Sequence, residues 1–179
     1  MTPAQRAMST WVGALARGGV VEEDDEDALA GEVVAAYVVG EGALDELRAW
    51  FAKATYEEAI RERRAAIEVC IWMAHADRDI HPEERHLLRQ LVTFSGLPAD
   101  EQDALVTAVH EPPSREGLPE RLTQPVLREL ILALAWELAL ADGRVDDAEA
   151  SLYLTLASEL EVSPDRAKAI RDAVGERIG

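Results

Sequence analysis

One stretch of this chain is written twice, and self-repetition of this kind constrains the architecture before any single residue is considered. Ala74-His75-Ala76-Asp77-Arg78-Asp79-Ile80-His81-Pro82-Glu83-Glu84 aligns with Ala139-Leu140-Ala141-Asp142-Gly143-Arg144-Val145-Asp146-Asp147-Ala148-Glu149. Asp77 thereby matches Asp142, and Glu84 matches Glu149. The register continues as Leu87 with Leu152, Leu91 with Leu156, Leu97 with Val162 and Asp100 with Asp165. That span suits a helix, a turn and the start of another helix. Two copies point to a pseudo-twofold pair of units and not to a solenoid.

Apolar residues recur at spacings of three and four, Ala, Leu, Glu and Arg dominate, and alternating β-branched runs are scarce, so the reading is all-α. Helices are expected at about 3–17, 26–38, 42–53, 55–76, 82–95, 98–110, 124–141, 146–159 and 163–177. Gly18-Gly19, Gly40, Gly42, Gly96 and Pro112-Pro113 fall where the helical pattern lapses. Pro82, Pro98 and Pro164 fall where a first helical turn tolerates proline. Residues 111–125 carry four prolines and read as a linker between the units. The expected fold is a compact helical domain at 55–179 with repeats near 65–110 and 126–177. Residues 1–54 form an N-terminal helical extension, with Leu44, Leu47, Trp50 and Phe51 at amphipathic spacing.

Charge narrows the partners. With 35 acids against 18 bases the chain carries a formal net charge of −17, which disfavours nucleic acid and suits cations or a basic protein surface. Excess acid also serves solubility alone, and the run Glu22-Glu23-Asp24-Asp25-Glu26-Asp27 reads as a solvated loop leading into a helix. Cys70 is the only cysteine, so one chain can form neither a disulfide nor a cysteine zinc cage, and it lies in an apolar run that suits a buried, inert thiol. A cytoplasmic setting is expected, since no secretory signal is evident. The most apolar segment, Val126 to Ala141, includes Arg128, Glu129 and Glu137 and is too short to insert into a membrane, so it reads as a central core helix.

The repeated acids admit two explanations. In each copy the Asp ends an apolar helix and the Glu falls in the first turn of the next, with a short turn between them. An Asp at a helix C-terminus faces the negative end of the dipole and needs compensation, either from free backbone N–H groups of the next helix or from a bound cation. Asp146 to Glu149 fits a capping box, with Asp146 as N-cap and Glu149 third in the helix. The first copy has His81 at the cap position and Pro82 first, which leaves Glu84 in place without its usual partner. If Asp77, Glu84, Asp142 and Glu149 converge, their mutual repulsion calls for a divalent ion, with Ca²⁺ or Mg²⁺ better suited to oxygen ligands than Zn²⁺. Asp79 and Asp146 are supplementary ligand candidates.

Other chemistries fit less well. Asp77-x-Asp79-x-His81 begins like an EF-hand loop, but Pro82 stands where glycine is needed and Leu88 where the closing acid belongs. Glu83-Glu84-Arg85-His86 holds one Glu-x-x-His step, which the second copy lacks, so a di-iron bundle is not indicated. His75 and Glu68 share a helical face and are expected to pair in the core, and Glu137 is expected to pair with an arginine. Trp11, Trp50, Trp72 and Trp136 are read as core or rim residues. No nucleophile and base arrangement or phosphate-cradling loop is present, so the chain is expected not to be an enzyme.

The pattern Ala-Asp-x-x-Ile/Val-x-x-x-Glu, followed by Leu-x-x-x-Leu and a Gly-Leu-Pro or Glu-Val-Ser turn, resembles the tellurite-resistance TerB-like family. It is also similar to the N-terminal domain of membrane-anchored DnaJ-type co-chaperones. The likeness covers about residues 65–177 and is closer in the second copy. It implies duplicated helical units, metal-binding acids at Asp77, Glu84, Asp142 and Glu149, and a role in bacterial stress or tellurite resistance. Arg78 stands where the family has glycine, a departure from a turn that favours glycine past the helix end. Its guanidinium would neutralise Asp77 or Glu84. No DnaJ domain accompanies the likeness, so co-chaperone activity is not implied. The competing expectation is a metal-independent interaction scaffold whose acidic surface recruits a basic protein.

Overall fold

Helix is the regular structure throughout the described residues, in line with the three-and-four spacing. The computed structural model describes residues 36–76, 80, 82–93, 97–140 and 145–178, with the backbone alone described at 83, 84, 87, 90 and 176–178. The helix expected at 3–17, most of that expected at 26–38, Trp11 and the acidic run 22–27 lie outside these residues. The elements are α1 (Glu41–Lys53), α2 (Tyr56–Ala74), α3 (Pro82–Thr93), α4 (Ala99–His110), α5 (Leu118–Arg121), α6 (Pro125–Ala139), α7 (Asp147–Glu159) and α8 (Pro164–Ile178).

Local chemistry sets the ends of these helices. Gly40, at φ 92°, breaks the helical turn at 36–39 from α1. A capping box opens α2: the Thr55 hydroxyl accepts from Glu58 N at 3.2 Å, and the Glu58 carboxylate accepts from Thr55 N at 3.0 Å. Pro82, Pro125 and Pro164 are first residues of their helices, where a missing N–H costs nothing. Pro98, expected inside the first turn, is instead the N-cap of α4, its carbonyl accepting from Gln102 N at 3.0 Å. The end of α7 is a Schellman turn, with Val162 N donating to Ala157 O at 2.8 Å and Glu161 N to Ser158 O at 3.0 Å. Glu161 holds φ 60° there, a conformation usually left to glycine.

The segment 111–125 is more ordered than a proline-rich linker suggests, since it contains α5. Gly117 takes a left-handed φ of 76° to start that turn, Pro119 sits in its first turn, and fully buried Leu118 and Leu122 anchor it. Prolines read as breakers along the sequence, but this one stands at a helix start.

Packing centres on α2 and α6, the two most buried helices, which lie against each other. On α2 rest α3, α4 and α5; on α6 rest α1, α7 and α8, and α7 also reaches α2. Burying a leucine such as Leu88, Leu105 or Leu130 completely contributes about 1.5–3 kcal/mol. Helix α1 is built into this core through Leu44, Leu47 and Phe51. Cys70 is fully buried, which pushes its thiol pKa upward and removes it from chemistry. Trp72 and Trp136 are buried and Trp50 half-buried.

Helix boundaries recur at the offset that separates Asp77 from Asp142 in the sequence. Helices α2 and α6 end at Ala74 and Ala139, α3 and α7 begin at Pro82 and Asp147, and α4 and α8 begin at Ala99 and Pro164, each pair in that same register. Buried residues keep the register too, with Leu88 and Tyr153, Leu91 and Leu156, and Leu105 and Ile170 each 2 % exposed or less. Among the described residues no helix is long and apolar enough to cross a membrane.

Candidate functional site

Of the four acids singled out by the repeat, Glu149 is the one whose side chain the structure describes. Asp77, Asp79, Arg78 and Asp142 lie outside the described residues, and Glu84 is described by its backbone, third in α3. Glu149 is third in α7 and only 4 % exposed. Its backbone N donates to Asp146 Oδ1 at 2.8 Å, and its Oε2 accepts from Asp146 N at 2.9 Å. This is the capping box allowed by the spacing, with a carboxylate placed at the positive end of a helix. Asp146, considered as a supplementary ligand, is thus engaged as a cap. Among the described residues no three His, Cys, Asp or Glu side chains come together as a metal site.

One expected pairing is corrected. His75 and Glu68 stand two helical turns apart, about 10 Å along the axis, so neither reaches the other. His75 Nε2 lies 2.7 Å from the Val109 carbonyl, while Glu68 accepts from Arg64 Nε at 3.4 Å and from Arg121 Nη1. Glu137 is buried, 5 % exposed, with no arginine bonded to it among the described residues; Arg171 stacks over the neighbouring Trp136 ring at 5.5 Å. Burial alone pushes the Glu137 carboxyl up to about 8.

Buried polar groups tie the α5 segment to the central helices. Glu62, fully buried, accepts from Thr123 N at 2.9 and 3.0 Å and from the Thr123 hydroxyl. Arg128 donates through Nε to Leu122 O at 2.6 Å, Nη1 to Leu160 O at 2.9 Å and Nη2 to Pro119 O at 2.9 Å. A planar fork suits this task, because it reaches carbonyls on three sides. Trp72 Nε1 donates to Pro113 O at 2.7 Å, which pins the start of the segment over α2.

The segment they hold contributes Pro113, Ser114, Glu116 and Arg121 to an open groove of about 790 Å³ along α2. Arg61, Arg64 and Arg121 line it, with Tyr56, Ile60 and Pro113 as its apolar part. Glu68, its side chain 3 % exposed, lies between Arg64 and Arg121, and Arg64 Nη1 also donates to Glu101 Oε2 on α4 at 2.7 Å. The side chains of Arg61, Arg64 and Arg121 remain 44 %, 40 % and 31 % exposed. Tyr56 is 71 % exposed. Reading by local spacing missed this cluster. Arg61, Arg63 and Arg64 stand together in an otherwise acidic chain, which is a visible signal, but Arg121 joins them only through the tertiary path of α5.

Comparison with protein-family models, with curated proteins and with solved structures gives no match. The fold and groove therefore define the class on their own terms: an all-α module built around two central helices, with a preformed arginine-lined cleft beside one of them.

Proposed function

We propose that this chain is a non-enzymatic, cytoplasmic interaction module that binds another protein through the groove along α2, its repeated acids serving to cap and shape the turns. The observation that carries the reading is the gathering of three partly exposed arginines in one groove, Arg64 and Arg121 paired with buried Glu68 and Arg61 beside them on the same lining, next to exposed Tyr56, in a chain of net charge −17. Arginine and tyrosine are enriched where proteins bind one another, and a fixed wall lowers the entropic cost of association. This differs from recruitment of a basic partner by the acidic surface at large. The resemblance to TerB-like proteins supplies a setting, bacterial stress or tellurite resistance. The test is co-purification from the native source with the whole chain as bait. Tyr56→Ala with Arg61→Glu is expected to lose partners that the unaltered chain retains, whereas unchanged capture would refute the reading.

A second reading is that the repeated turns hold a divalent cation, Ca²⁺ or Mg²⁺ before Zn²⁺, through Asp77, Glu84, Asp142 and Glu149. It is favoured by the matched placement of Glu84 and Glu149 as third residues of helices that start at equivalent positions of the two copies. Calorimetric titration and native mass spectrometry with Ca²⁺, Mg²⁺, Mn²⁺ and Zn²⁺ test it. Stoichiometric uptake weakened by Asp142→Asn supports it, and no uptake eliminates it.

A further inference from the structure

We infer that the groove along α2 receives an apolar peptide segment carrying a single carboxylate, with Arg61 as the receiving group. The inference rests on the interaction-module reading and names the partner's chemistry. Donor arithmetic comes first. Arg64 and Arg121 already donate to Glu68 and Glu101. The carboxylate nearest Arg61 in an ion pair is Glu62, at 3.8 Å, beyond hydrogen-bonding distance. That carboxylate is fully buried and committed to Thr123. Arg61 consequently makes no hydrogen bond among the described residues while its side chain is 44 % exposed at the groove. A guanidinium with an unspent fork matches one carboxylate in bidentate geometry.

Charge fixes the number of anionic groups. Four acids, Glu57, Glu68, Glu101 and Glu116, line the groove against its three arginines. Glu57 and Glu116 are exposed, so a phosphate-rich or multiply acidic ligand meets repulsion there and from the whole chain. A cationic segment meets the arginines. A single negative group received by the free donors of Arg61 keeps that repulsion smallest, and Tyr56, Ile60 and Pro113 supply apolar contact. A volume of about 790 Å³ exceeds what one side chain fills and suits several residues of an extended peptide. Trp72 holds the Pro113 wall in place before anything binds.

The test is fluorescence anisotropy on the full chain with a labelled pentapeptide amide, a central glutamate among leucines, beside its glutamine counterpart. The glutamate peptide is expected to bind at least about tenfold more tightly, equivalent to about 1.4 kcal/mol. Arg61→Met is expected to abolish that preference while leaving the glutamine peptide's affinity unchanged. Thermal melts of Arg61→Met check that the fold persists. Equal affinity of the two peptides, a preference that survives Arg61→Met, competition by inorganic phosphate equal to that by the glutamate peptide, or no binding of either peptide overturns the inference. If the peptides fail while Tyr56→Ala with Arg61→Glu still abolishes native capture, the module reading stands and only the partner's chemistry is wrong. If native capture is unaffected by those substitutions, the module reading itself falls.

Discussion

Arg128 in the first turn of α6 donates Nη1 to the carbonyl of Leu160 at the end of α7, 2.9 Å away, and its other donors reach Pro119 and Leu122. A buried cation is thereby placed where two helices, α5 and α7, present unpaired carbonyls and the negative ends of their dipoles. Replacing it by methionine keeps much of the volume and strands those acceptors. Arg128→Met is expected to cost about 2–4 kcal/mol in urea unfolding. Arg128→Lys should recover little, since an ammonium cannot span three carbonyls at once. A loss under about 0.5 kcal/mol for the methionine variant would show that water serves those carbonyls equally well.

Glu137 makes stability depend on pH in an unusual direction. Its folded carboxyl is raised to about 8 by burial, whereas the unfolded one titrates near 4.3. Below the lower value both states are protonated and nothing is lost. As pH rises from about 4.5 to 8 the unfolded state sheds the proton first, so this group subtracts stability progressively, and the effect levels off above about 8. Glu137→Gln removes that term. The variant is expected to match the parent near pH 4.5 and to exceed it by up to about 5 kcal/mol at pH 8, measured by denaturant unfolding across the range. A constant difference at all pH values would contradict the assignment.

Glu161 occupies the left-handed position of the Schellman turn with φ 60°. Its pair with Arg128, at 3.6 Å from a side chain 78 % exposed, offsets little of the strain. Glu161→Gly is expected to stabilise the protein by about 0.5–1 kcal/mol, read as a rise in melting temperature. A fall in melting temperature would mean that the Arg128 contact outweighs the backbone cost.

The capping box separates the two roles of Glu149. Glutamine can occupy the third position of such a box, so Glu149→Gln should cost under about 0.5 kcal/mol, whereas Asp146→Ala should cost about 0.5–2 kcal/mol. Thermal melts in chelator and in millimolar Ca²⁺ complete the comparison. Under the capping account neither variant changes its response to Ca²⁺. A Ca²⁺-dependent gain in the parent that Glu149→Gln abolishes would restore the ion.

The helices were legible because spacing, capping residues and prolines act locally. The box of Asp146 and Glu149 was readable for the same reason. Glu161 was not legible in the same way, because a glutamate carries no local signal of the left-handed turn it holds after α7. Nor were the partners of Glu68. Local spacing offers His75, two turns away, whereas the acid is satisfied one turn back by Arg64 and by Arg121 from a distant segment. The groove escaped sequence reading likewise, since the folding of 113–121 over α2 brings Arg121 beside Arg64. Of the four repeated acids, the described side chain, Glu149, bears on turn geometry.

The burial of Leu44, Leu47 and Phe51 in the common core has a practical corollary for anyone trimming this protein. A fragment beginning at residue 55 would leave the apolar surface of α6 that α1 covers open to water, and would remove the ring over which Arg63 stacks at 5.4 Å. Such a fragment invites self-association, and stickiness in a binding assay would then report a cut made in the wrong place. Helix α1, which stands outside the repeat, therefore covers part of its hydrophobic interior, and the smallest sound preparation retains it.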